Sequence, residues 1–312
     1  MDFFSEADNK WRVFSEDKLK FYGAYRNYDY GPDEENYVSK LSQFISHRIL
    51  LEYSIINTAN KKNKSKSVNK FVEEVYWRIY WKGWLENKPK VWKDFVSIKK
   101  YKYENAIYEK AINGETNLPF FNSWVNELKE YNYLHNHTRM WFASTWIFNL
   151  GLPWELGARF FFEHLFDGDS ASNTLSWRWV AGLHTKGKKY LFTPENLRKY
   201  SNNRYKINEI RNKTIELREE PIFDCDDKIY SHNMQKKNKY LILFENDLHF
   251  STLRSLINQY ENVLLILLTN NDRQIKISEK VFNFKESILS QFASNFSNIE
   301  KIKSHSLYEK LK

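Results

Sequence analysis

The alternation of apolar and polar positions divides the chain into a long helical part and a short part of different character. From about residue 38 to 57 apolar residues return at helical spacing (Leu41, Phe44, Ile45, Ile49, Leu50, Ile55), and a second stretch does so over 68–85. Both predict amphipathic helices. The polar run 60–67 between them has no period and predicts a mobile loop. Further helices are expected over 124–131, over 135–150, from Pro153 onward with that proline in the first turn, and over 173–183. No strand signal interrupts residues 118–200. Polarity then rises from 198 to 238, with Pro221 and the Asp226, Asp227 pair, which reads as a linker. Beyond it the runs 240–244 and 263–268 are apolar throughout, as strands buried on both faces are, and helix-like stretches at 251–260 and 284–296 follow them. The expected fold is mainly α: an all-helical domain over 1–200, a linker over 201–238, and a small α/β domain over 239–312 with right-handed crossovers.

Composition changes this picture only in part. A formal net charge of +9 would attract a polyanion, with nucleic acid the natural partner, although a bias toward Lys, Asn and Ile from an AT-rich genome gives the same charge. The single cysteine, Cys225, excludes a disulfide framework and a four-cysteine iron-sulfur cluster. The opening MDFFSEADNKW has no basic segment followed by an apolar one, and the run 263–268 is too short to span a bilayer, so a soluble cytoplasmic protein is expected. Nine glycines without a G-x-G-x-x-G exclude the usual glycine-rich dinucleotide loop.

Candidate chemistry gathers in a few motifs. Val38-Ser39-Lys40-Leu41-Ser42 places two hydroxyls where a predicted helix begins, a position whose amides favour an anion; Ser39 alone would be an ordinary cap. In Glu73-Glu74-Val75-Tyr76-Trp77-Arg78 the i, i+3, i+4 spacing puts Glu74, Trp77 and Arg78 on one helix face. The same spacing joins Asn136, Arg139 and Met140. Asp167-Gly168-Asp169, Asn173 and Trp177-Arg178-Trp179 follow. Buried charges persist only when paired, so Arg139 and the aspartates are candidate partners. His135-Asn136-His137 invites a nuclease reading, but it opens a hydrophobic helical stretch and lacks a ββα setting.

In order and spacing these motifs resemble the flavin-binding half of the DNA photolyase/cryptochrome family, from near Tyr25 to about Tyr205. The resemblance implies FAD, held by Tyr25, Ser39, Lys40, Leu41, Ser42, Arg78, Asn136, Arg139, Asp167, Asp169 and Asn173; Val38 stands where the family has Thr, which removes one hydroxyl. Arg139 and Asp167 would form the ion pair beside the flavin ring, and Asn173 would face flavin N5, where an amide favours an anionic reduced flavin. Glu74, Trp77, Asn136, Met140 and Trp179 would bind the damaged bases, Glu74 by hydrogen bonding and the two tryptophans as opposite walls, although Trp77 and Trp179 also fit a core. Trp177 and Trp154 match the inner members of an electron relay whose third place falls on Tyr101, with Tyr103 and Trp92 nearby. His137 replaces an arginine.

The function so implied is a deoxyribodipyrimidine photo-lyase acting on UV-damaged DNA. Blue light would excite reduced FAD, an electron would pass to the flipped cyclobutane pyrimidine dimer, the ring would open, and the electron would return. A cryptochrome-like receptor without repair activity, a (6-4) photolyase kept open by His137, and a flavin oxidoreductase without a visible nicotinamide site are the alternatives. Leu243-Phe244-Glu245-Asn246-Asp247-Leu248-His249 resembles the first strand and loop of the family's antenna domain. This implies a short form lacking the N-terminal antenna domain, with a reduced relative of it at the C-terminus. A monomer without antenna chromophore, metal or iron-sulfur cluster is expected.

Overall fold

The computed structural model describes residues 2–62, 65–98, 105–185, 187–205, 207, 209–215, 217 and 240–311. Helices α1 (Phe3–Val13), α2 (Tyr22–Tyr25), α3 (Ser42–Ser46), α4 (Glu52–Lys62), α5 (Lys66–Glu86), α6 (Pro89–Ser97) and α7 (Ala106–Asn113) come first. They are followed by α8 (Pro119–Tyr131), α9 (Asn136–Ser144), α10 (Trp154–His164), α11 (Ser170–Val180) and α12 (Pro194–Tyr200). The order then changes to β1 (Tyr240–Phe244), α13 (Phe250–Ile257), β2 (Asn262–Leu267), α14 (Glu279–Ala293), β3 (Ile299–Lys303) and the short α15 (Leu307–Leu311). The three strands form one parallel sheet in the order β1-β2-β3, with Leu243 opposite Leu265 and Leu265 opposite Lys301. A mainly helical fold with a small parallel α/β unit is therefore observed.

Boundaries differ from the pattern-based expectation where both sides of a turn are buried. The single helix expected over 38–57 is two, α3 and α4, broken at Arg48, whose φ is 55°. Ile49 in the turn is as buried as Phe44 and Ile45 in α3, so the apolar rhythm runs unbroken through a bend. The expected loop at 60–67 is mostly helix: α4 continues to Lys62, where lysines suit the carbonyl end, and α5 starts at Lys66 with the Ser65 hydroxyl accepting from Val68 N at 3.3 Å. Pro153 is the residue before α10, not within its first turn, with ψ of 134°. The stretch after Ser144 widens into a turn closed by Leu150 N donating to Thr145 O. Strand β3 escaped notice because IEKIK is too polar to read as a buried strand.

Among the described residues two large apolar clusters and two smaller ones carry the fold. Trp124, Trp141, Trp146, Trp177, Phe121 and Phe142 fill the middle of α8–α11. Phe44, Ile55 and Phe71 of the early helices share the second cluster with Leu243, Leu265, Ile288 and Phe292, so the sheet unit packs directly on α3–α5. The expected linker is not free in its first half, since Tyr205 and Ile207 are buried and Lys213 N donates to Phe148 O at 2.6 Å. Residues 218–239, Cys225 among them, lie outside the described residues. Among the described residues no helix is long and apolar enough to cross a membrane.

Candidate cofactor and nucleic-acid site

Asp167 is the centre of the site. It lies in the turn between α10 and α11, 7% exposed; its Oδ1 accepts from Arg139 Nη1 at 3.1 Å, and its Oδ2 lies 2.9 Å from the same nitrogen. Burial alone would push this carboxyl up; the Arg139 guanidinium, a hydrogen bond from Ser42 and the nearby Arg78 outweigh it and hold Asp167 below the usual carboxylate range. Arg139 is fixed in turn by Nε donating to Leu134 O at 2.9 Å and by the Tyr133 ring 5.4 Å from its Cζ. A second chain of bonds runs from Arg78 Nη2 to Ser46 Oγ at 2.9 Å and from Ser46 Oγ to Asp167 O at 3.2 Å. Thus α3, α5, α9 and the turn before α11 converge on one ion pair; the expected pairing of Arg139 with Asp167 is present, and Ser42 and Arg78 stand beside it.

The neighbours of this pair divide. Lys40 has a φ of 51° and its ammonium stands 5.9 Å from the Tyr133 ring on which Arg139 also rests, so it belongs to the same corner. Leu41, buried, is the residue before α3 and gives no side-chain cap; Ser39 does not cap a helix either. Asp169 caps α11 by accepting from Ser172 N at 2.7 Å, and Asn173, inside that helix and 9% exposed, donates from Nδ2 to Ala158 O at 2.8 Å. Tyr25 is 41% exposed and stands among Phe21, Tyr28 and Tyr37, the last at 4.9 Å.

On α5, Glu74 lies between two cations, Arg26 Nε and Lys70 Nζ, each at 3.6 Å. Trp77 is 44% exposed and touches Tyr80 and Trp81, with centroids 5.3 and 5.0 Å away. Trp179 is half-buried and stacks on Tyr190 at 5.7 Å. Asn136 is exposed at the start of α9 and Met140 half-buried one turn on. Trp177 is buried against Phe161 at 5.1 Å, and Trp154 is buried and stacked on Phe95 at 5.5 Å, with the Arg178 guanidinium 5.8 Å from its ring. Phe95 in turn meets Trp92 at 5.5 Å. Tyr101 and Tyr103 lie outside the described residues.

Sequence reading missed Arg26, Ser46, Lys70 and Tyr133. Lys70 was findable, being four residues before Glu74 on the same helix; Arg26 and Ser46 come from distant elements and carry no local signal. It also missed a buried polar network behind α9. There Thr138 Oγ1 donates to Asp29, Arg204 Nη1 donates to Asp29 at 3.1 Å, and Arg204 lies 3.7 Å from Glu127, whose carboxyl burial pushes up to about 7. His137, expected where the family has an arginine and as the residue that keeps a (6-4) reading open, is tied to Asn27 O at 2.8 Å and Tyr190 Oη at 3.2 Å.

The donor set suits a dinucleotide. Hydroxyls at Ser39 and Ser42, the cations Lys40, Arg78 and Arg139, and a fixed carboxylate at Asp167 supply partners for a pyrophosphate and for a polar ring. Arg78 Nε and His135 Nε2 are buried and meet no hydrogen-bond partner among the described residues, an arrangement that a bound polar group would complete.

Residues 71–208 match the family model described as the FAD binding domain of DNA photolyase. A deoxyribodipyrimidine photo-lyase of Neurospora crassa is 29% identical over 170 residues, covering 50% of this chain and 28% of the relative. Another, of Buchnera aphidicola, is 27% identical over 194 residues, covering 57% and 40%. The matches thus span less than half the length of these curated relatives. Among solved structures, a bacterial class III photolyase from Agrobacterium tumefaciens has a TM-score of 0.55 at 24% identity, covering 64% of this chain and 42% of that chain. A Synechocystis cryptochrome has 0.56 at 22%, covering 63% and 43%. The helical part is a photolyase-type FAD-binding fold. The chain is similar to DNA photolyases and cryptochromes over about 60% of its length, and the family model falls within that part.

Proposed function

We propose that this protein is a light-dependent DNA repair enzyme that splits cyclobutane pyrimidine dimers, with FAD held around the Arg139–Asp167 pair. The observation that carries the reading is the joint arrangement on α5 of a half-buried carboxylate, Glu74, set between Arg26 and Lys70, and a half-exposed indole, Trp77, three residues further on the same face. A carboxylate can accept from the N–H groups of a flipped base, and an exposed indole can stack on it; base-aromatic stacking contributes about 1 to 3 kcal/mol, comparable with unstacking a base already weakened by damage.

Ser39, Lys40, Ser42, Arg78, Arg139, Asp167 and Asn173 would hold the cofactor, whose reduced, light-excited ring supplies the electron that opens the cyclobutane ring. The chain's own part is electrostatic and positional. Arg139 keeps Asp167 ionised, and Asp167 keeps Arg139 from presenting an unbalanced charge to the ring. Asn173 offers an amide that holds no titratable proton. Trp177 and Trp154 are buried aromatic groups suited to passing electrons from the surface toward the ring, and the short Trp154, Phe95, Trp92 sequence of ring contacts supports an exit on that side.

A receptor without repair activity would need the same flavin pocket but not the Glu74 and Trp77 pair. Comparing wild type with Glu74→Ala on thymine-dimer DNA under illumination separates the two. The expected result is unchanged flavin content and a fall in repair of at least tenfold; equal repair by both proteins would remove Glu74 from the mechanism.

A further inference from the structure

Trp77 is one end of a longer aromatic row. Helical spacing puts Trp77, Tyr80, Trp81 and Trp84 on one face of α5, and His184, from the turn after α11, closes the row between Tyr80, Trp81 and Trp84. Tyr80 is 46% exposed, and its hydroxyl meets His184 Nε2 at 3.4 Å. Trp81 is buried and Trp84 and His184 are half-buried, so the adjacent Trp77 and Tyr80 form the exposed part of the row, and neighbouring large exposed rings mark a binding face. The surroundings say what kind of partner fits. The Lys88 ammonium lies 5.6 Å from the Trp84 ring, the turn that carries His184 continues to the exposed Lys188, and the whole chain carries +9.

Centroid steps along the row are 5.3 Å from Trp77 to Tyr80, 6.0 Å from Tyr80 to His184 and 5.1 Å from His184 to Trp84. Each step is an edge-to-face contact, so the rings brace one another, and Trp77 and Tyr80 are left exposed at the surface. An exposed ring stacks on an unpaired base more readily than on one already stacked in a duplex, so this face suits a single strand better than a duplex.

We infer that Tyr80, with His184 and Trp84, forms a base-stacking subsite for unpaired nucleotides of the strand that enters at Trp77, giving the protein a preference for single-stranded DNA. This rests on the proposed DNA substrate and extends it to strands without damage. His184 packs edge-on against the Tyr80 ring, 6.0 Å between centroids, so the subsite is formed before the strand arrives.

The test uses fluorescence anisotropy of the flavin-bearing protein with labelled, undamaged oligothymidylate and with its duplex, for wild type, Tyr80→Ala and Tyr80→Phe. Tyr80 is exposed, so both variants should fold, which thermal melting checks. The expected result is tighter binding of the single strand by wild type, about tenfold weaker single-strand binding by Tyr80→Ala with duplex binding unchanged, and near wild-type binding by Tyr80→Phe. The salt dependence should not change, because no phosphate contact is lost. Wild-type affinity in Tyr80→Ala, equal weakening for single strand and duplex, or a reduced salt slope would each overturn the subsite. Failure of dimer repair by wild type would instead count against the repair reading, and the oligothymidylate result would still decide the subsite.

Discussion

Asp167 illustrates how much one residue can be made to do. Its carboxylate faces Arg139, Ser42 and the Arg78 chain at once, and it is ionised only because those partners outweigh its burial. Asp167→Asn would leave the Arg139 guanidinium without its counter-charge in a half-buried setting. A loss of about 2 to 4 kcal/mol is expected in urea unfolding, together with loss of flavin on purification; an unchanged midpoint would show that the pair contributes nothing to the fold. At this scale the sequence was most legible for residues inside one element. Glu74, Trp77 and Arg78 share a helix, and Asn136, Arg139 and Met140 share another, so spacing alone grouped them. Arg26 and Ser46 were invisible because they reach the site across 48 and 32 positions, by contacts that no local period records.

Elements fail to be read where packing overrides propensity. Gly157 lies within α10, where an alanine would ordinarily be preferred by about 1 kcal/mol. Here a Cβ at Gly157 would stand 2.2 Å from Trp177 Cη2 and 3.0 Å from Trp146 Nε1, neither of which can move within a filled core. Gly157→Ala should therefore destabilise by about 1 to 3 kcal/mol, and slow photoreduction of the flavin by displacing Trp177. A more stable variant with wild-type photoreduction would contradict the close approach of α10 and α11. The break between α3 and α4 follows the same logic, since buried turn residues kept the apolar rhythm going. The break matters, because the bend at Arg48 lets α3 point Ser42 and Ser46 at Asp167 while α4 runs back along α5.

Across the whole molecule, the α/β unit reaches the cofactor corner through a buried chain. Lys285 of α14 meets Glu245 at 3.2 Å and His47 Nε2 at 2.8 Å, Arg273 pairs with the same Glu245, and His47 bonds Gln43 O at 2.7 Å next to α3. Phe284 stacks on Phe166, beside Asp167, at 4.1 Å. The pattern along the chain predicted β1, β2, α13 and α14 of this unit but neither β3 nor the unit's place against α3, which depends on charges far apart in the chain. Burial, with Lys285 adding to it and only Gln43 and Asp167 opposing, pushes His47 down to about 3, and His135 falls to about 4 for the same main reason, burial. The unfolded chain takes up protons at these histidines near pH 6.5 while the folded one does not. Stability is thus fully present above pH 6.5 and falls as pH drops toward 3. His47→Gln should flatten part of that fall when urea midpoints are measured between pH 4 and 7; an identical pH profile would mean that His47 is protonated in the fold.

The measurement that bears most directly on the central claim is dimer loss by the purified protein in the light and in the dark. The protein is isolated, its flavin confirmed by visible absorption, and thymine-dimer DNA is added under reducing conditions to paired illuminated and dark samples. Loss of dimers only in the illuminated sample is the predicted result. Bound, photoreducible flavin with dimers intact in both samples would contradict a repair function and leave a receptor, and protein without flavin would contradict the cofactor site itself.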